Sequence, residues 1–514
     1  MAMLATPVML EDGDQADEAL AGAAQAKVHG ADLVEWRVDT LVGDDEGRTA
    51  ICRLVQESVL PSIVTCRIEA EGGGFDGPES ERIAMLEVLA QQDHVPTYVD
   101  LEYVRLKGHA DLRTAVNALR AKGTRLICSA HDFTQRPPDL LRTVADMGAD
   151  DDCDVIKIAF HAAALREALE CADLLAARPK PMIALAMGQM GLVSRVLAGA
   201  WGGLLTFAAL DADATSAPGQ PTLSDLEDRY RFRSITAATK VYGLIGFPLG
   251  ASPGFERHNA AFQQSERDAV YLPLPVREGW ERFKADILEL VGHPHVRFRG
   301  GSVTMPHKAN CLQLVRDAGG NIDEAASAAG AANTLVVDAD GGLSGANTDV
   351  IGVVEPLRAL GATLKGQRAA VLGAGGAARA ACVGLLQAGA CVRVFNRTAE
   401  RAKQVATDLA ALGDIAVGGS RGSGGPFDVV VQCTSVGMAQ DARDDPAGND
   451  AMQAVGFDRD QIADGAVALE SVLDPVDTIF VEHLRQAGAS VACGLDMWLA
   501  QAAGQEQRWA ASGW

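Results

Sequence analysis

The sequence predicts an α/β protein: an N-terminal (β/α)8 barrel followed by a two-domain α/β unit that ends in a dinucleotide-binding fold. Three observations predict it. Eight spaced apolar strand candidates precede residue 230, a polar segment follows at 224–240, and a glycine-rich turn at 373–376 lies between a strand and a helix. The eight candidates are TPVML (6–10), DLVEWRVD (32–39), SIVTCR (62–67), YVDLEY (98–103), RLICSAHD (125–132), DVIKIAF (154–160), MIALAM (182–187) and GLLTFAAL (203–210), starting 21 to 36 residues apart. Amphipathic stretches such as ERIAMLEVLAQQ lie between them. Eight such units in about 210 residues are what a closed barrel requires, although a doubly wound open sheet shares the alternation.

SDLEDRYRFRSITAATK (224–240) reads as a last helix followed by a polar linker. A second α/β region then carries VYGLIG (241–246), AVYLPLP (269–275), GGSVTMP (300–306) and ANTLVVD (332–338). A third carries AAVLGAGG (369–376), CVRVFNR (391–397), DVVVQCTS (428–435) and AVALESVL (466–473). Gly/Asp-rich segments at 418–426 and 439–450 read as loops, and the insert around 439–465 has no sequence-level explanation.

Composition narrows the function. A formal charge of −23, from 45 basic and 68 acidic residues, argues against nucleic acid or an anionic membrane as partner. Any anionic ligand must then be gripped by a local cluster of arginines or lysines. Ten cysteines run from Cys52 to Cys493 without a CxxC pair, which suits reduced, mostly buried thiols. With no basic leader and no apolar run long enough to span a bilayer, a cytoplasmic enzyme is expected. The oligomeric state stays open.

In a barrel, the C-terminal ends of the strands face the active site. Those ends supply Glu35, Arg37, Arg67, His131, Lys157 and Met187, with Arg195 just beyond. Lys157 is the informative one. It stands inside DVIKIAF among apolar residues, where a charged amine is costly unless the strand is short and the side chain reaches solvent. The alternative is a Schiff-base lysine whose pKa is lowered by burial and neighbouring arginines. A shift from roughly 10.4 towards 7 corresponds to roughly 4 kcal/mol.

The segments DLVEWRVD, TCRIEAEGG, SAHDF, VIKIA, VSRVLAG and SAPGQ, in that order over about residues 5–232, resemble the type I 3-dehydroquinate dehydratases. The resemblance implies that Lys157 forms an iminium with the ketone of 3-dehydroquinate and that His131 moves the proton, with Glu71 as its polarising partner. It also implies that Arg195 clamps the substrate carboxylate and that Glu35, Arg37, Arg67, Ser216 and Gln220 hold the ring. SAPGQ then belongs to a loop that closes over the ligand. Neither a cofactor nor a metal is implied for this half.

In the C-terminal half, VLGAGGAARA (371–380) joins a strand to a small-residue helix start through Gly373, Ala374, Gly375, Gly376 and Ala377. Such a turn alone is weak. A second strand ends some 20 residues on, where a dinucleotide fold reads the adenosine ribose. Cofactors without a 2′-phosphate need a carboxylate there, but this chain has Asn396, Arg397 and Thr398, with Arg401 one turn on. Those groups suit NADP over NAD. Lys308 follows one strand and Asp349 another, and together they could relay the hydroxyl proton as hydride moves.

From about 241 to 504 these segments look like shikimate dehydrogenase. The resemblance implies substrate contacts from Ser302, Thr304, Asn333 and Gln501. It places Thr434 of CTSVGM (433–438), with Gly494 and Met497 of GLDMW, along the nicotinamide. The expected division is a barrel at 1–232, a substrate domain at 241–348 joined by a returning C-terminal helix at 491–514, and a Rossmann NADP-binding domain at 349–490. The pattern breaks at the family's substrate-carboxylate clamp: GASPGFERHN (250–259) keeps Ser252 but has Gly254 at the second serine position, and Leu473 stands where the family usually has tyrosine. Each lost hydrogen bond to a charged group is worth about 1.5–3 kcal/mol, so two could cost roughly a hundredfold in affinity.

The expected function is dehydration of 3-dehydroquinate to 3-dehydroshikimate, then NADPH-dependent reduction to shikimate. Two alternatives stand beside it. The dehydrogenase half could prefer a related substrate such as quinate, or it could be a metabolite sensor without turnover. An intact Lys308–Asp349 pair speaks against the sensor, because sensing needs no proton relay.

Overall fold

The computed structural model describes residues 2–250, 252–419, 425–438 and 450–513. The chain divides into two compact units, Met1–Phe298 and Arg299–Trp514. The loop expected at 418–426 lies largely outside the described residues, as does nearly all of that at 439–450.

The first unit opens with eight parallel strands: β1 (Met3–Met9), β2 (Leu33–Arg37), β3 (Ser62–Thr65), β4 (Tyr98–Glu102), β5 (Arg125–Asp132), β6 (Val155–His161), β7 (Met182–Met187) and β8 (Leu205–Phe207). Their order is β7-β6-β5-β4-β3-β2-β1-β8, so β1 pairs with both β2 and β8. Between β7 and β8 the join is slight, with Leu204 N–H donating to the Met182 carbonyl at 2.9 Å. The barrel is therefore nearly closed.

Strand alternation organises its interior. Leu33, Ile63, Tyr98, Ile127, Val155, Ile183 and Leu205 form an apolar plug. Two residues further along the same strands come Glu35, Thr65, Asp100, Ser129, Lys157, Leu185 and Phe207, so the polar mouth sits directly on the plug. Burial of the plug sets the register, and the register then obliges the charged residues to face inward.

Within 224–240 the expected last helix, ahead of the polar linker, is replaced by two short turns. Asp225–Arg229 forms one five-residue π turn and Phe232–Ser234 a 3-10 turn, separated by Arg231 in a left-handed conformation at φ 53°. A non-glycine residue held there interrupts helical propagation. Beyond it, β9 (Lys240–Gly246) and β10 (Ala269–Pro275) pair in parallel. The helix Trp280–Gly292 packs on the barrel helix Leu165–Ala177, where Arg166 approaches the buried Asp286 at 3.4 Å. Trp201 Nε1 donates to the His295 carbonyl at 3.0 Å.

In the second unit, β11 (Phe298–Val303), β12 (Asn321–Ile322), β13 (Thr334–Val337) and β14 (Leu343–Ala346) follow. β13 runs antiparallel to β11 and to β14, and β12 is parallel to β14. The short β12 and β14 carry no apolar run and do not stand out from sequence. The final sheet holds β15 (Arg368–Leu372), β16 (Cys391–Phe395), β17 (Ile415–Val417), β18 (Phe427–Gln432), β19 (Ile462–Glu470) and β20 (Ser490–Ala492), all parallel, in the order β17-β16-β15-β18-β19-β20. This is the doubly wound dinucleotide order. Only four of its strands are readable from sequence, since the edge strands β17 and β20 are three residues each. The insert around 439–465 is not wholly irregular: Ala451–Val455 is helical, and Met452 and Phe457 are buried with Phe395 and Phe427 beneath the sheet.

Candidate functional site

At the barrel mouth, Glu35, Arg37, Arg67, Glu71, His131, Lys157, Met187, Arg195, Ser216 and Gln220 all line one pocket, with Phe133, Leu185 and Phe207 among its apolar walls. Lys157 is 6% exposed, and its Nζ lies 4.4 Å from the centre of the Phe207 ring. The reading that it reaches solvent from a short strand does not hold. Its immediate partners are also not the arginines expected there: Nζ lies 2.7 Å from Asp100 Oδ2 and 3.5 Å from Glu35 Oε1. Arg67 shares one of these acids, donating to Asp100 Oδ1 at 2.6 Å and to Glu102 Oε1 at 2.9 Å, while Arg37 pairs with Asp39 at 2.7 Å.

Asp100, Glu102 and Ser129 are functional neighbours that sequence reading missed. Asp100 and Glu102 occupy alternate positions of a fully buried strand, and two acids on one face of such a strand are the signal that could have found them. Burial opposes ionisation of Asp100, yet the Arg67 guanidinium and Lys157 beside it hold its carboxyl well below the usual range.

His131 Nδ1 lies 2.9 Å from Glu71 Oε2, and the His131 backbone N–H donates to the same oxygen at 3.0 Å. Burial, reinforced by Arg67 and Lys157, pushes the imidazole well below its ordinary pKa, so it is neutral near pH 7. Burial raises Glu71 to about 7. Arg195 differs from every other cation of the pocket. It is 2% exposed, its Nε has no hydrogen-bond partner, and it makes no ion pair among the described residues. Burial alone lowers it to about 10. A buried cation without a counter-charge, facing a pocket, has the chemistry to hold an anion. Ser216 N–H and Oγ donate to Gln220 Oε1 at 2.8 and 3.0 Å, while Gln220 Nε2 is left without an acceptor.

The second unit brings Lys308 and Asp349 together. Lys308 opens the helix Lys308–Asp317, Asp349 opens Asp349–Ala359, and Nζ meets Oδ2 at 2.5 Å. Asn333 Nδ2 donates to Asp349 Oδ1 at 2.8 Å and lies 3.4 Å from Gln501 Oε1. Ser302 Oγ donates to Gln505 Oε1 at 2.7 Å. Gln505 was missed; it is buried on the C-terminal helix and also donates to the Asn333 carbonyl at 3.2 Å. Thr304 is half-buried, and its carbonyl accepts from His307 N–H at 2.9 Å.

The glycine-rich turn has the shape a pyrophosphate requires. Gly373 has φ 119°, and a β-carbon there would lie 3.0 Å from the Cys433 carbonyl oxygen next to Thr434. Gly375 caps the helix Gly376–Gln387, and added β-carbons at Gly375 and Gly376 would meet nothing within 4 Å, leaving the helix N-terminus open. Ala374 and Ala377 are half-buried beside them. After β16, Asn396 Nδ2 donates to the Thr398 carbonyl at 2.9 Å, and Arg397 and Arg401 are exposed without an ion pair among the described residues. These residues fit a dinucleotide carrying an extra phosphate. Gly494 and the buried Met497 begin the helix Gly494–Ala511, with Gly494 pressed on the Val472 carbonyl.

In the first unit, Ser252 Oγ accepts from Gly254 N–H at 3.2 Å. Behind it, Asn259 Nδ2 donates to the Phe255 and Tyr271 carbonyls and so fixes the helix Gly254–Gln264 to β10. Leu473, in the second unit, is 37% exposed.

Fold and side chains together define a two-enzyme chain, a barrel with a lysine at its mouth joined to a dinucleotide-binding dehydrogenase unit. Residues 5–237 match the type I 3-dehydroquinase family, 244–335 the shikimate dehydrogenase substrate binding domain, and 357–436 the shikimate/quinate 5-dehydrogenase family. A chloroplastic bifunctional 3-dehydroquinate dehydratase/shikimate dehydrogenase of Arabidopsis thaliana is 31% identical over 97% of this chain and 80% of its own length. A shikimate dehydrogenase (NADP(+)) of Citrifermentans bemidjiense is 38% identical over 52% of this chain and 89% of its own length. Among solved structures, a dehydroquinate dehydratase and shikimate dehydrogenase from S. pombe is 22% identical, with a TM-score of 0.44, covering 99% of this chain and 96% of that one. The chain belongs to the bifunctional 3-dehydroquinate dehydratase/shikimate dehydrogenase family.

Proposed function

We propose that the barrel, residues 1–232, converts 3-dehydroquinate to 3-dehydroshikimate through a lysine Schiff base, and that the dehydrogenase part reduces the product to shikimate with NADPH. The dehydrogenase part comprises the substrate domain 241–348, the nucleotide domain 349–490 and the returning helix 491–514. The observation that carries the first activity is the buried Lys157 facing the His131–Glu71 pair's pocket, with Arg195 unpaired beside it.

In this reading the Lys157 amine adds to the substrate ketone and water leaves, giving an iminium. The neutral imidazole of His131 takes the proton from the adjacent carbon, and the iminium accepts the electron pair. The imidazolium returns that proton to the departing hydroxyl, and hydrolysis frees Lys157. Ionised Glu71 steadies the imidazolium, Arg195 binds the carboxylate, and Glu35, Arg37, Arg67, Ser216 and Gln220 hold the ring. In the dehydrogenase part, NADPH supplies the hydride. Lys308 and Asp349 hold and move the hydroxyl proton, and Ser302, Thr304, Asn333 and Gln501 bind substrate. The turn Gly373–Ala377 would hold the pyrophosphate, Asn396, Arg397, Thr398 and Arg401 would bind the 2′-phosphate, and Thr434, Gly494 and Met497 would contact the nicotinamide.

Among the described residues no helix is long and apolar enough to cross a membrane. With ten free cysteines, seven of them buried, a reducing cytoplasmic setting fits best. Small molecules, not nucleic acid or membrane, are the proposed partners.

One observation favours a second reading for the dehydrogenase substrate. Gly254 carries no hydroxyl where the resemblance expects a second serine, and Leu473 carries none where it expects a tyrosine, which suits quinate or weak shikimate binding. The test is twofold. Borohydride with 3-dehydroquinate should fix substrate mass on Lys157, and Lys157→Ala should remove both the adduct and dehydration. A panel of shikimate and quinate with NADP and NAD then ranks the dehydrogenase substrates; turnover of neither would defeat the second half of the proposal.

A further inference from the structure

Asp39 does not line the pocket, yet its carboxylate, 5% exposed, gathers four hydrogen bonds. Oδ1 accepts from Arg37 Nε at 3.4 Å and from Arg67 backbone N–H at 2.8 Å. Oδ2 accepts from Arg37 Nη2 at 2.7 Å and from Gly74 backbone N–H at 2.9 Å. The chain between those two backbone donors is a closed loop. Phe75 N–H donates to the Arg67 carbonyl at 3.0 Å, Glu69 N–H to the Phe75 carbonyl at 3.1 Å, and Gly73 N–H to the Ile68 carbonyl at 3.0 Å. Glu71 rides at the far end. There Gly72, at φ 77°, lies so close beneath Phe133 that a β-carbon would sit 2.3 Å from the ring. A loop bonded to itself in this way moves as one piece, so its base fixes its tip.

We propose that Asp39 is a positioning residue for dehydration: a single carboxylate orients Arg37 and, through the backbone of Arg67 and Gly74, sets Glu71 beside His131. This rests on the dehydratase reading of the barrel. The chemistry demands a carboxylate, because both oxygens face N–H donors. An asparagine, whichever way its amide is turned, points its NH2 at two donors and keeps only half the acceptors. The loop would not be lost with it, since Glu102 Oε1 separately accepts from Ile68 N–H at 3.1 Å.

The experiment is a double-mutant cycle on the full chain, with the dehydrogenase rate of each variant reporting that the chain is folded. Asp39→Asn should lower dehydration kcat about tenfold and raise KM about tenfold, the first through Glu71 and the second through Arg37. In a Glu71→Gln background the kcat loss should shrink below about threefold while the KM effect persists, because the coupled residue is already gone. Equal kcat losses in both backgrounds, unchanged dehydration in Asp39→Asn, or a parallel fall of the dehydrogenase rate would each overturn the proposal. His131→Ala separates the two levels. If it leaves dehydration intact, the dehydratase reading itself fails; if it abolishes dehydration while Asp39→Asn is silent, only the role of Asp39 fails.

Discussion

The two candidate sites are built on opposite plans. At the barrel mouth, Glu35, Arg37, Arg67, Asp100 and Lys157 are buried and interlocked, and the desolvation of each is offset by another. In the second unit Lys308 meets Asp349 with its side chain 28% exposed, and Asn333 Nδ2 also donates to that carboxylate at 2.8 Å. The difference follows from where the chemistry resides. On the proposed mechanism, a lysine that forms a covalent bond and an imidazole that moves protons twice must be tuned by the protein, which requires a dry, charged environment. A hydride comes ready-made on the cofactor, so the protein has only to present binding groups and one proton relay.

The comparison breaks first at Lys308. If the dehydrogenase depends on that one pair, Lys308→Ala should lower kcat for NADPH-dependent reduction about 10²–10⁴-fold and leave dehydration untouched. Retained reduction in a stopped-flow assay would mean that the relay lies elsewhere. The barrel offers a smaller effect at a more buried group. Arg195→Leu removes a cation of the pocket that has no counter-charge among the described residues, and with it the proposed charge-assisted bond to the substrate carboxylate, about 1.5–3 kcal/mol. Dehydration KM should rise about 10–100-fold. An unchanged KM would show that another group takes the carboxylate.

The two plans also explain what could be read in the sequence. A charged residue in an apolar strand is costly, so Lys157 stood out among its neighbours, and Glu35 and Arg67 stood out at the C-terminal ends of barrel strands. Asp100 and Glu102 obey the same rule but hid in YVDLEY, where flanking tyrosines and a neutral-looking alternation resemble a half-exposed strand. Their presence corrects the environment of Lys157 from arginines to acids. In the second unit, Gly373 and Arg397 were legible only through motif spacing. Gln505 was not legible, because nothing local distinguishes a buried glutamine on a helix from a solvated one. The π turn at 225–229 escaped because its five residues have helical composition, and the stop at Arg231 is a backbone event.

The smallest effect concerns an acid that each half has raised to about 7, Glu71 in the barrel and Glu470 at the end of β19. Glu71 has a partner in His131, whereas Glu470 serves only to hold a loop, accepting from Val472 N–H at 2.8 Å and Thr478 Oγ1 at 2.7 Å. Burial drives its shift, opposed by those donors. The folded chain therefore keeps the Glu470 proton between about pH 4.5, where the unfolded side chain ionises, and about 7. The folded state binds more protons in that window, so its stability falls as pH rises through it and is level above. Glu470→Gln cannot ionise and can still meet both partners, because the Thr478 hydroxyl also accepts a hydrogen bond, as it does from Val481 N–H at 3.3 Å. The variant should match the parent near pH 5 and unfold at a higher temperature at pH 8, with a gain on the order of 1 kcal/mol. Scanning calorimetry at the two pH values decides it: a gain equal at both would mean that Glu470 is ionised throughout, and that burial does not hold its proton.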